Sequence, residues 1–220
     1  MQWTDGRPFV PPSFLDRLRL RRAAVRYAAH GWAVLPGARL SDGRFTCGRP
    51  GCPISGCHPA AESWEDDATA DPARVARWWR RQPHSVLLAT GASFDAIEVP
   101  DAVGLRALGQ ARLRSRGRGP VAVTPAGRWT FLVRPGVPLR PELRSCLDVV
   151  RHGRGSWIPA APTRMADGLV RWAVTPDRVD WCLPDADEVQ TLLVAALGRR
   201  RVTPAVVTVP RQVSTGRRAA

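Results

Sequence analysis

Lysine is missing from this chain of 220 residues: all 33 of its Lys-plus-Arg positions are arginine, against 19 acidic residues, for a net charge of +14. GC-rich codons shared by Arg, Ala, Gly and Pro are one reading of the arginine preference, and the charge surplus has a consequence under any reading. A chain this basic attracts polyanions, and the planar guanidinium fork suits phosphates. Nucleic acid, single-stranded DNA in particular, is therefore the leading partner class, with an anionic surface as the competitor. Also missing is any apolar run near the roughly 20 residues of a bilayer span, which excludes a transmembrane helix. The opening MQWTDGRPFVPP lacks a charged start, an apolar stretch and a cleavage site, so the cytoplasm is the expected location. No G-x-x-x-x-G-K-[ST] loop is present, so any helicase or other replication partner is expected to be a separate protein.

What is there suffices for a core: 44% hydrophobic residues and nine Trp exclude a mainly disordered chain. The length fits one domain with decoration, or two small lobes. Residues 1–12 read as an extension, 13–197 as the folded domain, 37–63 as a long Cys-containing loop within it, and 198–220 as a basic disordered tail. That tail carries Arg199, Arg200, Arg201, Arg211, Arg217 and Arg218 and no acid. A first helix is expected from cap candidate Ser13 to Gly31, with Phe14, Leu15, Leu18, Val25 and Ala29 on its apolar face and Arg17, Arg19, Arg21, Arg22 and Arg26 on the other. Asp71-Pro72 opens a second helix that places Val75, Trp78 and Trp79 on one face. A third, over 102–115, places Val103, Leu105, Leu108 and Ala111 inward, and a fourth covers 185–197. Strands are expected at 32–35, 85–90, 94–99, 147–150, 156–158 and 169–174, with a hairpin formed by 120–124 and 128–134. Helices mixed with nonconsecutive strands indicate the α+β class.

Three constellations carry chemistry. Cys47, Cys52, Cys57 and His58 supply four potential ligands in one loop, and zinc takes four thiolates or imidazoles in a tetrahedron. Against that stand the absence of a two-residue gap and the adjacency of Cys57 and His58, so reduced thiols are the other reading. Cys146 and Cys182 read as core. Asp95, Glu98, Asp101 and Asp148 form an acidic set of the kind that binds Mg²⁺ or Mn²⁺ in nucleotidyl transfer. Three residues apart on a strand, Asp95 and Glu98 point to opposite faces, and solvated strand-end acids are the alternative. Gly127-Arg128-Trp129-Thr130-Phe131 and Arg151-His152-Gly153-Arg154-Gly155-Ser156-Trp157 interleave cations with rings, as base stacking and phosphate contact require and as any half-buried strand does.

Several segments, in order, resemble one family: residues 26–36, Gly56-Cys57-His58-Pro59, the stretch from Trp64 to Trp79 with Ala68-Thr69 and Asp71-Pro72, Ala89-Thr90-Gly91, residues 94–100, 127–131, and Leu147-Asp148 through Pro162-Thr163. They look like the N-terminal bifunctional DNA primase/polymerase domain of the archaeo-eukaryotic primase superfamily, over about residues 20–195. The resemblance implies a palm-like sheet related to the RNA-recognition fold, packed with an N-terminal αβ unit, and template-directed nucleotidyl transfer with divalent metals and nucleotides. The family's Asp-x-Asp falls on Glu98-Val99-Pro100, its hairpin His on Trp129, its third acid on Asp148, and its Gly-Lys-His-Pro on Gly56-Cys57-His58-Pro59 without the Lys. The resemblance thus implies Glu98 and Asp148 as metal ligands, Arg128 and Arg151 as phosphate contacts, Trp129 as a stacking platform, and His152 beside them. The lost Asp and His imply impaired transfer. A noncatalytic module for single-stranded nucleic acid is the alternative, and a basic regulatory protein that binds a protein partner is a third reading.

Overall fold

The computed structural model describes residues 14–114 and 117–198; the expected extension, the Ser13 cap and the tail from 199 onward lie outside the described residues. In chain order the elements are α1 (Phe14–Ala29), β1 (Val34–Gly37), β2 (Arg39–Ser41), β3 (Arg44–Thr46), α2 (Trp64–Asp67), α3 (Pro72–Arg81), β4 (Ser85–Ala89), β5 (Asp95–Pro100) and α4 (Asp101–Arg114). There follow β6 (Val121–Val123), β7 (Arg128–Val133), α5 (Pro141–Arg144), β8 (Val150–His152), β9 (Trp157–Pro159), β10 (Arg164–Met165), β11 (Gly168–Leu169), β12 (Arg171–Val174), a 3₁₀ turn (Pro176–Val179) and α6 (Ala186–Leu197). The fold is α+β.

An antiparallel five-stranded sheet runs in the order β12-β6-β7-β5-β8, and an antiparallel three-stranded sheet in the order β1-β4-β9. Strand alternation gives each sheet two different faces. Ile97, Val99, Val121, Trp129, Phe131 and Val133 turn one face of the large sheet toward Val103, Ala107 and Ala111 of α4 and Val189, Leu192 and Leu193 of α6. Ala96 and Leu132, of opposite parity, join a second core with Val34, Val86, Leu88 and Ile158 of the small sheet, Ala24, Tyr27 and Ala28 of α1, and Val75 and Trp79 of α3. Gly104 makes the first core possible: a Cβ there would lie 2.3 Å from Trp129 Cγ, so only glycine lets α4 close on β7.

Local signals explain several elements. Asp71 Oδ1 accepts from Ala73 N at 2.8 Å and Pro72 occupies the first turn, so α3 starts where a cap and a proline dictate. Asp185 caps α6 in the same way, accepting from Asp187 N at 2.8 Å.

Other expectations need correction. On α1 the buried stripe is Ala24, Tyr27 and Ala28 with Leu20 and Ala23 beside it, whereas Leu15 is 61% exposed. Tyr27 sets that rotation: its hydroxyl donates to Ala161 O at 2.6 Å and accepts from Trp172 Nε1 at 2.9 Å. Leu105 faces solvent on α4, its inward place being taken by Ala107. The expected loop at 37–63 contains the β2–β3 hairpin, turned at Asp42-Gly43 with both residues at positive φ. The strand expected at 147–150 begins at Val150; Leu147 is 99% exposed, because residues 147 and 148 form a turn after α5. Cys146, half-buried after α5, packs against the first core as expected, whereas Cys182 is exposed beyond the 3₁₀ turn and is not a core residue.

Candidate functional site

The part of the large sheet's second face that the second core leaves uncovered forms the floor of a cleft of about 640 Å³. Glu98, Arg128 and His152 lie on it. Trp157 and Pro159 of the small sheet, Phe45 of β3, Pro125 of the β6–β7 turn, and Met165 and Asp167 of the β10–β11 hairpin line its walls. Cross-strand register brings the three floor residues together: Glu98 pairs with Thr130 and Val150, which places Arg128 and His152 diagonally to either side. The turn carrying Ser156 is tied to β4, with Thr90 Oγ1 donating to Gly153 O at 2.6 Å and Thr90 N to Ser156 O at 2.9 Å. Gly91, at φ +91°, permits that approach, since a Cβ there would meet Arg154 backbone at 2.3 Å.

Both oxygens of Glu98 are engaged. Arg128 Nε donates to Oε1 at 2.7 Å, and His152 Nε2 lies 3.1 Å from Oε2. The hydrogen bond from His152, joined by Arg128, holds the Glu98 carboxyl below the usual carboxylate range against the opposing effect of partial burial. With the Nε2 proton toward Glu98, His152 Nδ1 accepts from the Ser156 hydroxyl at 3.0 Å. This chain can hold and relay a proton. Ser156 N is itself engaged, donating to Gly153 O at 3.2 Å.

Asp148 lies exposed on the turn before β8 and is absent from the cleft lining. Its carbonyl accepts from Arg128 Nη2 at 2.7 Å, so one guanidinium reaches from the Glu98 carboxylate to the Asp148 backbone. Asp95 is buried on the opposite face, where it accepts from Arg151 Nη2 at 2.6 Å, from Arg151 Nε at 3.2 Å and from Gly136 N at 2.9 Å. Asp101 accepts from Trp129 Nε1 at 2.7 Å at the start of α4. The acids are therefore dispersed, and Glu98 alone reaches the cleft floor.

A divalent metal does not fit this donor set. At an effective dielectric of 20 a dication about 4 Å from one carboxylate gains roughly 8 kcal/mol and loses the same to a guanidinium at that distance. Arg128 thus offsets the attraction of Glu98 for Mg²⁺, so that carboxylate does not repay the ion's dehydration, and the other acid of the lining, Asp167, belongs to the β10–β11 wall. The expected phosphate contacts change for related reasons: Arg128 is neutralised by Glu98, and Arg151 is committed to Asp95 on the other face. Trp129 is 7% exposed and packed on Gly104, so it is a core residue and not a stacking platform. Of the rings that the sequence interleaves with cations, Trp157 lines the cleft, whereas Phe45 and Asp167 are lining residues that sequence reasoning missed, lying in hairpins too short to be expected.

The loop cysteines form a second cluster. Ligand atoms of Cys47, Cys52 and His58 lie within 4.8 Å of one another, with Cys52 Sγ 3.5 Å from His58 Nε2. His58 Nδ1 donates to Gly56 O at 2.7 Å, which points Nε2 at the thiols, as metal-binding imidazoles are oriented. Partial burial disfavours the Cys47 thiolate, but hydrogen bonds from Arg49 and His58 outweigh it and bring the thiol down to about 6. Cys57 stands apart: burial pushes its thiol up to about 12, and it lines the main cleft. Arg49, which sequence reasoning passed over, approaches both thiols, at 3.5 Å from Cys47 Sγ and 3.9 Å from Cys52 Sγ.

A family model described as "Bifunctional DNA primase/polymerase, N-terminal" matches residues 24–188, which span both sheets and the cleft. The chain belongs to this family. No curated protein matches it. The Prim-Pol domain here carries the family's fold with the cleft floor described above. Among its described residues, no helix is long and apolar enough to cross a membrane.

Proposed function

We propose that this Prim-Pol domain is a nucleic-acid-binding module whose cleft takes a nucleobase between Trp157 and Phe45, and that it does not carry out metal-clamped nucleotidyl transfer. One observation carries the reading: the Arg128 guanidinium spans from Glu98 to Asp148, where a polymerase would need a dication. The apolar walls and internally neutralised floor suit a flat, uncharged ring better than a triphosphate. Catalysis is the second reading, favoured by the family match itself.

Cys47, Cys52 and His58 hold one zinc ion in this proposal, supported by their mutual distances and the oriented imidazole. The ion would fix the 47–58 loop against the cleft, since Ser55, Gly56 and Cys57 line one wall.

The test of the cleft is fluorescence anisotropy with a labelled single-stranded oligonucleotide, with and without Mg²⁺. Binding is expected not to require Mg²⁺, which acts only as a competing counterion, and to weaken in Trp157→Ala. Strict dependence on Mg²⁺, or full affinity in Trp157→Ala, contradicts the proposal.

A further inference from the structure

Opposite the cleft, α1 and α3 pack side by side on the small sheet, covering the face that carries Val34, Val86, Leu88 and Ile158 while Trp157 and Pro159 turn to the cleft. These two helices carry nine arginines and a single acid, Asp16. Arg26 is neutralised by Asp177 and Arg74 by Asp67. Arg17, Arg19, Arg22, Arg77, Arg80 and Arg81 are exposed and make no ion pair with a described residue. Six guanidinium groups without a described ion-pair partner on two adjacent helices concentrate positive charge there.

The geometry adds to the charge. Arg19, Arg22 and Arg26 recur at three and four residues, so they form one row along α1, in steps of about 4.5 and 6 Å. That row borders a groove of about 410 Å³ whose floor holds Tyr27, Trp172 and Trp181. On the other flank, Leu18, Val25, Ala29 and Ala76 line a second groove, of about 480 Å³, between α1 and α3. Arg80 lies one turn beyond Ala76 on the same stripe of α3. Charged rims above apolar floors are what a single nucleic-acid strand requires, phosphates outside and sugar faces inside. Trp181 is already stacked on His30, with ring centroids 3.5 Å apart, so base stacking there is blocked and recognition falls to the backbone.

We infer that the α1–α3 face is a second nucleic-acid site, binding the phosphodiester backbone of a single strand through Arg19, Arg22, Arg77 and Arg80 without regard to sequence. The inference rests on the nucleic-acid reading given above and locates on α1–α3 a contact that the cleft does not provide.

The test is anisotropy of the full chain with a labelled oligothymidylate across a salt series, comparing wild type with Arg19→Ala/Arg22→Ala/Arg77→Ala. Each lost phosphate contact removes about 0.7 from the slope of log affinity against log salt, so the triple variant is expected to lose about 2 in slope and roughly 10- to 100-fold in low-salt affinity. Arg→Lys at the same three positions keeps the charge and should keep the slope, which separates loss of contacts from loss of folding. Trp157→Ala, in the cleft, lowers affinity at every salt concentration, and should leave the slope unchanged because stacking releases no counterions. An unchanged slope in the alanine variant overturns this inference and leaves the nucleic-acid reading standing. Failure of the wild type to bind at low salt overturns both. Capture by anionic vesicles with no oligonucleotide binding overturns the inference in favour of a membrane surface.

Discussion

Arg128 decides what the cleft can do, and it does so by lying diagonally across the strand pair from Glu98. Its Nε–Oε1 hydrogen bond is charge-assisted and part-buried, and in the proposed reading it withdraws the Glu98 carboxylate from metal chemistry. The depressed Glu98 carboxyl has a consequence for stability. A carboxyl whose folded value lies below its unfolded one contributes stability above the ordinary glutamate range, and loses it as pH falls through the folded value. Glu98→Gln should therefore melt lower than wild type at neutral pH, and the gap should close in acid; a gap that widens in acid contradicts the pairing. Trp129 yields the opposite of what the family alignment suggests. With its ring against Gly104 and its Nε1 on Asp101, Trp129→His should destabilise the fold by about 3 kcal/mol, within the usual range for truncating a buried large aromatic, and should not create a phosphate ligand. Denaturant unfolding measures this, and an unchanged midpoint would contradict the core assignment.

At the scale of elements, legibility followed the strength of local signals. The α3 cap and proline, the turn Pro125-Ala126-Gly127, and the α6 cap at Asp185 each announce their element in two or three residues. So did strand parity, which separates Asp95 from Glu98. What stayed hidden depends on partners distant in sequence. The rotation of α1 is set by Tyr27 reaching Ala161 and Trp172, and the start of β8 by register with β5. The β2–β3 and β10–β11 hairpins are only three and two residues long on each side, too short for periodicity to register. The candidate site was half legible: an acid and a nearby Arg could be named, but not that the register would make them partners. The metal loop gives the sharpest prediction at this scale. Chelator-washed, zinc-reconstituted protein should hold one zinc per chain, lose it in Cys52→Ser and His58→Ala, and keep it in Cys57→Ser, with a melting temperature that falls on chelation. A stoichiometry near zero with unchanged melting leaves only the thiol reading.

For the whole molecule, charge of +14 is divided between the described arginine face and residues beyond Gly198, where six arginines occur without an acid. Deleting 199–220 should reduce the salt slope of single-stranded DNA binding by up to about 4, at about 0.7 for each contact removed, while the α1–α3 face retains part of the affinity. Complete loss of binding on that deletion would assign the affinity to the tail alone. The central claim is that a Prim-Pol fold here binds nucleic acid around a cleft that Arg128 has closed to catalytic metal. Primer extension measures this most directly, on primed and unprimed templates with Mg²⁺ or Mn²⁺, comparing wild type with Glu98→Ala and Asp148→Ala. The account predicts no nucleotide incorporation by wild type above the level of either variant; incorporation by wild type that both substitutions abolish would contradict it.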